Sequence, residues 1–344
     1  MNAPALPTPA HRWLALHRLT ALWAFGESGL GGVMHALKVP FTGLLVGSFA
    51  VICISLIGRY SEGHYRRILH SLLLVLIIKA AVSPHSPPTA YLAVSFQALV
   101  GYLLFSLGGV RKPAIYTLAI LALLESAVQK LLTLTLFFGR SFWQAADELV
   151  AYIGRELSVA LPDGALLLTG IYLGIYLLGG LACGAMATRL VADSALRPDL
   201  PACPAIAAPP DPVQRRRRSR AALVVLLLAA ICAIRFLEAD SARAGSRSVV
   251  LALLWTGTAL IVWYGILAPF VLGLLRRYLR RQGTAYQGQV DELLGLLPQM
   301  RHLSHAAWQE SRARRGWRRV PLFLRLLIFW SLTAGAPELQ EALP

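Results

Sequence analysis

Residues 16–59 read LHRLTALWAFGESGLGGVMHALKVPFTGLLVGSFAVICISLIGR. Two apolar runs flank a polar, glycine-rich centre, Gly26-Glu27-Ser28-Gly29-Leu30-Gly31-Gly32, and His35, Lys38 and Pro40 follow it. The apolar runs have the length and composition of membrane helices. A carboxylate, an imidazole and an amine therefore fall within a span or its connection. Ionisable groups at that depth are costly, so they point to a ligand site or a pathway.

The rest of the chain fits this frame. Of 344 residues, 56% are hydrophobic and 15% charged, and the mean hydropathy is +0.59. Soluble domains carry about 25% charged residues, so the chain reads as a polytopic membrane protein. The net charge of +16 is that of arginines retained on the cytoplasmic side and does not call for nucleic acid. Cys53, Cys183, Cys203 and Cys232 have no CxxC spacing, which excludes a sequence-evident disulfide framework or zinc site. The N-terminus shows no removable signal peptide.

A span takes about 20 mostly apolar residues. The expected spans are 14–35, 41–58, 68–83, 88–108, 113–138, 164–188, 221–237 and 248–275. The expected domains are a six-helix bundle over 1–190, a Pro/Arg-rich linker over 191–219, two further spans over 220–275 and a basic amphipathic tail over 276–344. Arg12, Arg18, Arg59, Arg66, Arg67, Arg111, Lys112, Arg189, Arg197 and Arg215–Arg218 all fall on one side. This predicts a multi-pass inner-membrane protein with both termini cytoplasmic. Residues 142–160 carry Trp143, Leu149, Ile153 and Leu157 near one helical face, as in an amphipathic helix at the outer interface or a lid over the bundle. The tail is expected to hold amphipathic helices broken at Pro298, then a surface-lying or re-entrant run over 320–332.

Placed by depth, the polar residues of the first five spans gather in the outer half. They are Glu27, His35 and Lys38 from the first span and its connection, Lys79 from the third, Gln97 from the fourth, and Glu125, Gln129 and Lys130 from the fifth. Each has a bland role as well. Glu27 and a lysine can pair to hold the bundle, lysines can snorkel to headgroups, and Gln97 can bridge two helices. As a set they outline a pocket open to the outside and closed below. Lysines 38, 79 and 130 would favour an anionic or zwitterionic nutrient. Thr20, Ala24, Ser28 and Gly32, like Gly170, Gly174, Gly180 and Gly184, allow close helix approach, within the chain or to another membrane subunit. No motif for nucleotide hydrolysis, a metal, a cofactor or a nucleophile occurs.

The first 190 residues resemble the substrate-binding (S) component of energy-coupling factor (ECF) vitamin transporters. The likeness is carried by LWAFGESGLGG…LKVPFTGLLVG, by KAAVSPHSPPTAYLAVSFQALVGYLLF and by six spans with both ends inside. It implies a ligand in the outer half beneath the 36–40 loop. The tail is faintly similar to the transmembrane coupling (T) component, whose cytoplasmic helices present an Ala-Arg-Gly motif to an ABC-type ATPase pair. Ser311-Arg312-Ala313-Arg314-Arg315-Gly316 is the nearest match, with one extra arginine. That resemblance implies partner contacts at Arg301, Trp308, Arg312, Arg314, Arg315 and Gly316. The expected function is vitamin uptake by a transporter subunit that is not itself an enzyme, in contact with membrane lipid. The alternatives are a membrane scaffold with a partner-recruiting tail, and an intramembrane enzyme on a lipid-linked substrate using Glu27, His35 or Glu125.

Overall fold

Helix α1 (Pro9–Phe25) runs directly into a π-helical turn, Gly26–Leu30, so the glycines that interrupt the first apolar run widen the helix without ending it. The structure, a computed structural model, describes residues 9–31, 34, 41–83, 86–159, 163–193, 270, 273–274, 277–278, 281, 286–314, 316 and 319–333. After α1 come α2 (Thr42–Ser61), α3 (Arg66–Val82), α4 (Pro88–Gly108), α5 (Lys112–Phe138), α6 (Arg140–Glu156), α7 (Gly164–Asp193), α8 (Gln287–Glu310) and α9 (Arg319–Thr333). No strand occurs among the described residues.

Among the described residues, four helices are long and apolar enough to cross a membrane: α2, α4, α5 and α7. They match the second, fourth, fifth and sixth expected spans, and the protein is membrane-embedded. The other four expected spans are not shown among the described residues. Helix α3 has 17 residues, about 26 Å at 1.5 Å per residue, against a hydrocarbon core of about 30 Å. The 221–237 span, nearly all of the 248–275 span and the 194–219 stretch lie outside the described residues.

Helix α2 is the hub. It packs against α1, α3, α4, α5 and α7, and Ala50, Val51, Cys53, Ile54, Leu56 and Ile57 are fully buried along it. Helices α5 and α7 approach closely where α7 has no side chain. A Cβ at Gly180 would lie 2.9 Å from Ile120 Cα, and one at Gly184 would lie 2.7 Å from the Tyr116 ring. By contrast, Leu166, Ile171, Ile175 and Leu178 of α7 are exposed, as suits a helix with one face toward lipid. Helix α6 packs against α7 through Ala146, Val150 and Gly154 and turns Leu149, Ile153 and Leu157 outward. This fits an amphipathic helix at an interface.

The tail departs from expectation in two ways. Helix α8 passes through Pro298 without a break. An interior proline loses a hydrogen bond and crowds the preceding turn. Here the exposed Pro298 sits opposite a face formed by Leu293, Met300, Leu303 and Ala307, all buried. That packing, against α1 and α3, carries the helix across. Helix α9 is not surface-lying either. It buries Leu324, Leu327, Ile328 and Trp330 and packs on α8 and α1. Polar contacts pin this arrangement: Arg18 Nη1 donates to the Leu332 carbonyl at 2.9 Å, His17 Nε2 lies 3.2 Å from Glu292 Oε2, and His70 Nε2 is 2.9 Å from Gln289 Oε1.

Gly180→Leu should destabilise the detergent-solubilised protein by about 1–3 kcal/mol through overpacking against α5. A thermal-unfolding midpoint equal to the parent's would show that α5 and α7 do not touch there. Pro298→Ala should raise the midpoint, since an exposed interior helical proline costs about 3 kcal/mol relative to alanine; a lowered midpoint would argue for a break.

Candidate functional site

The π turn of α1 places the first polar group. At Gly26 a Cβ would overlap the Phe49 ring of α2, so glycine lets the two helices meet. The Gly31 amide donates to the Gly26 carbonyl, the wide spacing of a π turn that recurs at functional sites. Glu27 lies inside this turn. Its Oε2 accepts a 2.6 Å bond from Lys79 Nζ of α3, and the two side chains are 3% and 4% exposed. Lys79 Nζ also sits 5.8 Å from the centre of the Tyr91 ring on α4. The same α1–α3 contact holds Thr20 Oγ1 2.8 Å from Ser71 Oγ. Thr20, Ala24 and Ser28 are all buried, so these small residues serve packing within the chain. Gly32 lies outside the described residues.

A second polar group spans α4 and α5. Gln129 Nε2 donates to Glu125 Oε1 at 3.2 Å and to the Thr89 carbonyl at 3.1 Å. Glu125 Oε2 is buried and has no hydrogen-bond partner among the described residues, and neither has Oε1 of Gln97, a side chain only 3% exposed. Unpaired buried acceptors are rare because each forfeits its hydration. Gly47 lets α2 pack closely here: a Cβ there would lie 3.0 Å from Leu123 Cδ2, 3.4 Å from Gln97 Nε2 and 3.9 Å from Ser126 Oγ.

One turn earlier, a Cβ at Gly43 would lie 3.5 Å from Ser126 Oγ and 3.8 Å from Tyr176 OH. Phe41, Tyr172 and Tyr176 cluster at this end with ring centres 5.0–6.3 Å apart. Phe41 precedes α2 with φ 59°, a left-handed conformation that costs a bulky side chain about 1–3 kcal/mol and is characteristic of functional sites. The periodicity of α7 carries Tyr172 and Tyr176 at i, i+4, and Ser126 adjoins Glu125. Both signals are present in the sequence. Hydropathy hides them, since tyrosine and serine are unremarkable in a span.

The expected site residues therefore divide. Glu27 and Lys79 come together as a closed pair. Glu125 and Gln129 form the second group, while Gln97 is buried on α4 beside Gly47 of α2. Lys130 is exposed and contributes no bond to either. His35 and Lys38 lie outside the described residues. At the tail, Arg301, Arg312 and Arg314 are exposed, as is Gly316, with φ 62°, and Arg315 lies outside the described residues. Trp308 is 43% exposed and also meets its own chain: the Arg319 guanidinium stacks on its ring at 3.8 Å, Arg319 Nη2 donates to its carbonyl, and Phe323 meets it edge-on. Among the described residues no cluster of His, Cys, Asp or Glu is suited to a metal.

No family model matches this chain, and no curated protein or solved structure matches it.

Breaking one side of the buried pair strands a charge, at a cost of about 3–5 kcal/mol, whereas removing both charges is far milder. Lys79→Met and Glu27→Gln should each sharply lower the thermal-unfolding midpoint, and the double variant should regain most of the loss. Additive losses in this double-mutant cycle would refute direct pairing.

Proposed function

We propose that this chain is a solute-binding subunit of a membrane transporter, taking up a small polar nutrient from outside the cell. The observation that carries this proposal is the pair of buried acceptors on facing helices, Gln97 Oε1 and Glu125 Oε2, that have no partner among the described residues. A bundle that spends a π turn and two charges on satisfying Glu27 and Lys79 has the means to satisfy these also. Leaving them bare favours a partner that arrives as a ligand. The loop charges put these acceptors in the outer half of an inner-membrane protein whose termini are cytoplasmic. The likeness to vitamin-transporter S components, with their ligand in the outer half, points the same way.

The chain has no nucleotide-hydrolysis motif of its own, so accumulation would depend on a cytoplasmic ATPase pair. Exposed Arg301, Arg312 and Arg314 offer that partner a basic surface, and α8 and α9 connect it to α1. A scaffold role is the second reading. It is favoured by the closed Glu27–Lys79 pair, which holds helices together without offering a free group.

Native mass spectrometry of the full chain, purified in mild detergent, should show a retained small molecule, and Gln97→Leu should release it. Cells expressing the chain with its partners should lose uptake in the same variant. A chain that carries no ligand, and whose loss changes no uptake, would leave the scaffold role.

A further inference from the structure

We propose that the turn closing α6 holds a phospholipid of the surrounding membrane, with its phosphate on Arg155 and Ser158 and its acyl chains along α7.

Chain connectivity fixes the level of this turn. Helices α5 and α7 are both long and apolar enough to cross the membrane, and α6 joins the end of one to the start of the next. The join therefore stays at one membrane–water boundary. Its middle is tied to the first turn of α7. Asp147 Oδ1 accepts from the Ala165 amide at 2.7 Å, and a Cβ at Gly164 would lie 2.7 Å from the Ala146 carbonyl oxygen and 2.8 Å from Val150 Cβ. A cavity of about 310 Å³ opens beside this contact, lined by Val150, Ala151, Gly154, Arg155, Ser158 and Val159. That is the small end of the roughly 300–1,000 Å³ range of ligand sites, room for a headgroup and not for two acyl chains.

The lining is apolar apart from Arg155 and Ser158. Both are exposed, and neither side chain bonds to another described residue. The Ser158 amide donates to the Arg155 carbonyl at 3.2 Å and the Val159 amide to the Gly154 carbonyl at 2.9 Å. This pair of bonds closes a helix around a left-handed residue that is usually glycine. Here serine holds that position, at φ 52°. Glycine would close the same turn with less strain, but it would bring no hydroxyl. An arginine fork beside a hydroxyl matches the oxygens of a phosphate. The carboxylates of the join do not consume Arg155: Asp147 and Asp163 accept from the Ala165 and Leu166 amides, and Glu148 and Glu156 are exposed.

The acyl chains have a track below the cavity. Leu168, Ile171, Ile175 and Leu178 are exposed on α7 and follow Gly164 at the spacing of a single helical face. Gly164 is where α6 crosses, so the cavity stands at the head of this apolar stripe. A soluble anion would use the cavity and leave the stripe; a phospholipid uses both.

The test titrates the full chain, delipidated in mild detergent, with dioleoylphosphatidylglycerol, with dioleoylglycerol, which lacks the phosphate, and with glycerol phosphate, which lacks the chains. Native mass spectrometry reads the bound probe, and the thermal-unfolding midpoint reads stabilisation by a ligand of the folded state. Phosphatidylglycerol should bind saturably and raise the midpoint, and the other two should bind far more weakly. Arg155→Gln should weaken phosphatidylglycerol binding about tenfold, as expected for loss of a charge-assisted bond, while Arg140→Gln, the same charge change at the far end of α6, leaves it unchanged. Ser158→Gly should raise the unliganded midpoint by relieving the left-handed backbone and yet weaken phospholipid binding, a divergence that a serine with a merely structural role does not produce. The unliganded midpoint also reports folding, and Ser158→Gly carries the test if Arg155→Gln does not fold. Equal phosphatidylglycerol binding in Arg155→Gln and parent, or equal losses in Arg155→Gln and Arg140→Gln, overturns the site. Dioleoylglycerol binding as tightly as the phospholipid removes the phosphate from it, and glycerol phosphate binding as tightly makes it a soluble-anion site; either result overturns the proposal.

Discussion

A charge inside a lipid-embedded bundle must find its opposite, and Glu27 and Lys79 do so at 2.6 Å, almost wholly buried. The rest of the arrangement follows from this contact. It exists because α1 widens into a π turn at Gly26–Leu30, and the turn is possible because glycine at 26 lets α1 reach the Phe49 ring of α2. The pair ties α1 to α3, and Lys79 extends the tie to Tyr91 of α4. Buried ion pairs are weak evidence for net stability. Their geometric consequence is stronger: α1 cannot rotate or slide against α3 without stranding a charge.

With those two groups neutralised, the bundle has few ways to answer the polarity that remains. Gln129 answers half of Glu125. Gln97 Oε1 and the other Glu125 oxygen have no partner among the described residues, and Gly43 and Gly47 let α2 pack closely on Ser126 and Leu123 of α5. The bundle is closed where its charges meet and leaves two buried acceptors on α4 and α5 without a partner among the described residues. Both features come from the same few helices around α2, which connects the site to the core without intervening loops.

The far end of α1 is held differently. His17 meets α8 at Glu292 and Arg18 meets α9 at the Leu332 carbonyl, so a tail rich in arginine is built onto the bundle. Helix α1 thus touches both the buried ion pair and the tail helices that expose Arg301, Arg312 and Arg314. A displacement of α1 would be felt at both ends, because it packs on the bundle and on the tail helices alike.

Hydropathy, period and spacing by themselves determined that the chain is helical and membrane-embedded and where α2, α4, α5 and α7 lie. These are properties of one helix at a time. Which groups satisfy one another depends on helix rotation and separation across the bundle, and only the tertiary structure decided that. It joined Lys79 to Glu27, left Lys130 outside, brought Tyr172 and Tyr176 of α7 beside Phe41, and stacked the Arg319 guanidinium on Trp308. It also carried α8 through Pro298, because burial of a long apolar face outweighs a single broken turn, a balance that local sequence rules do not contain.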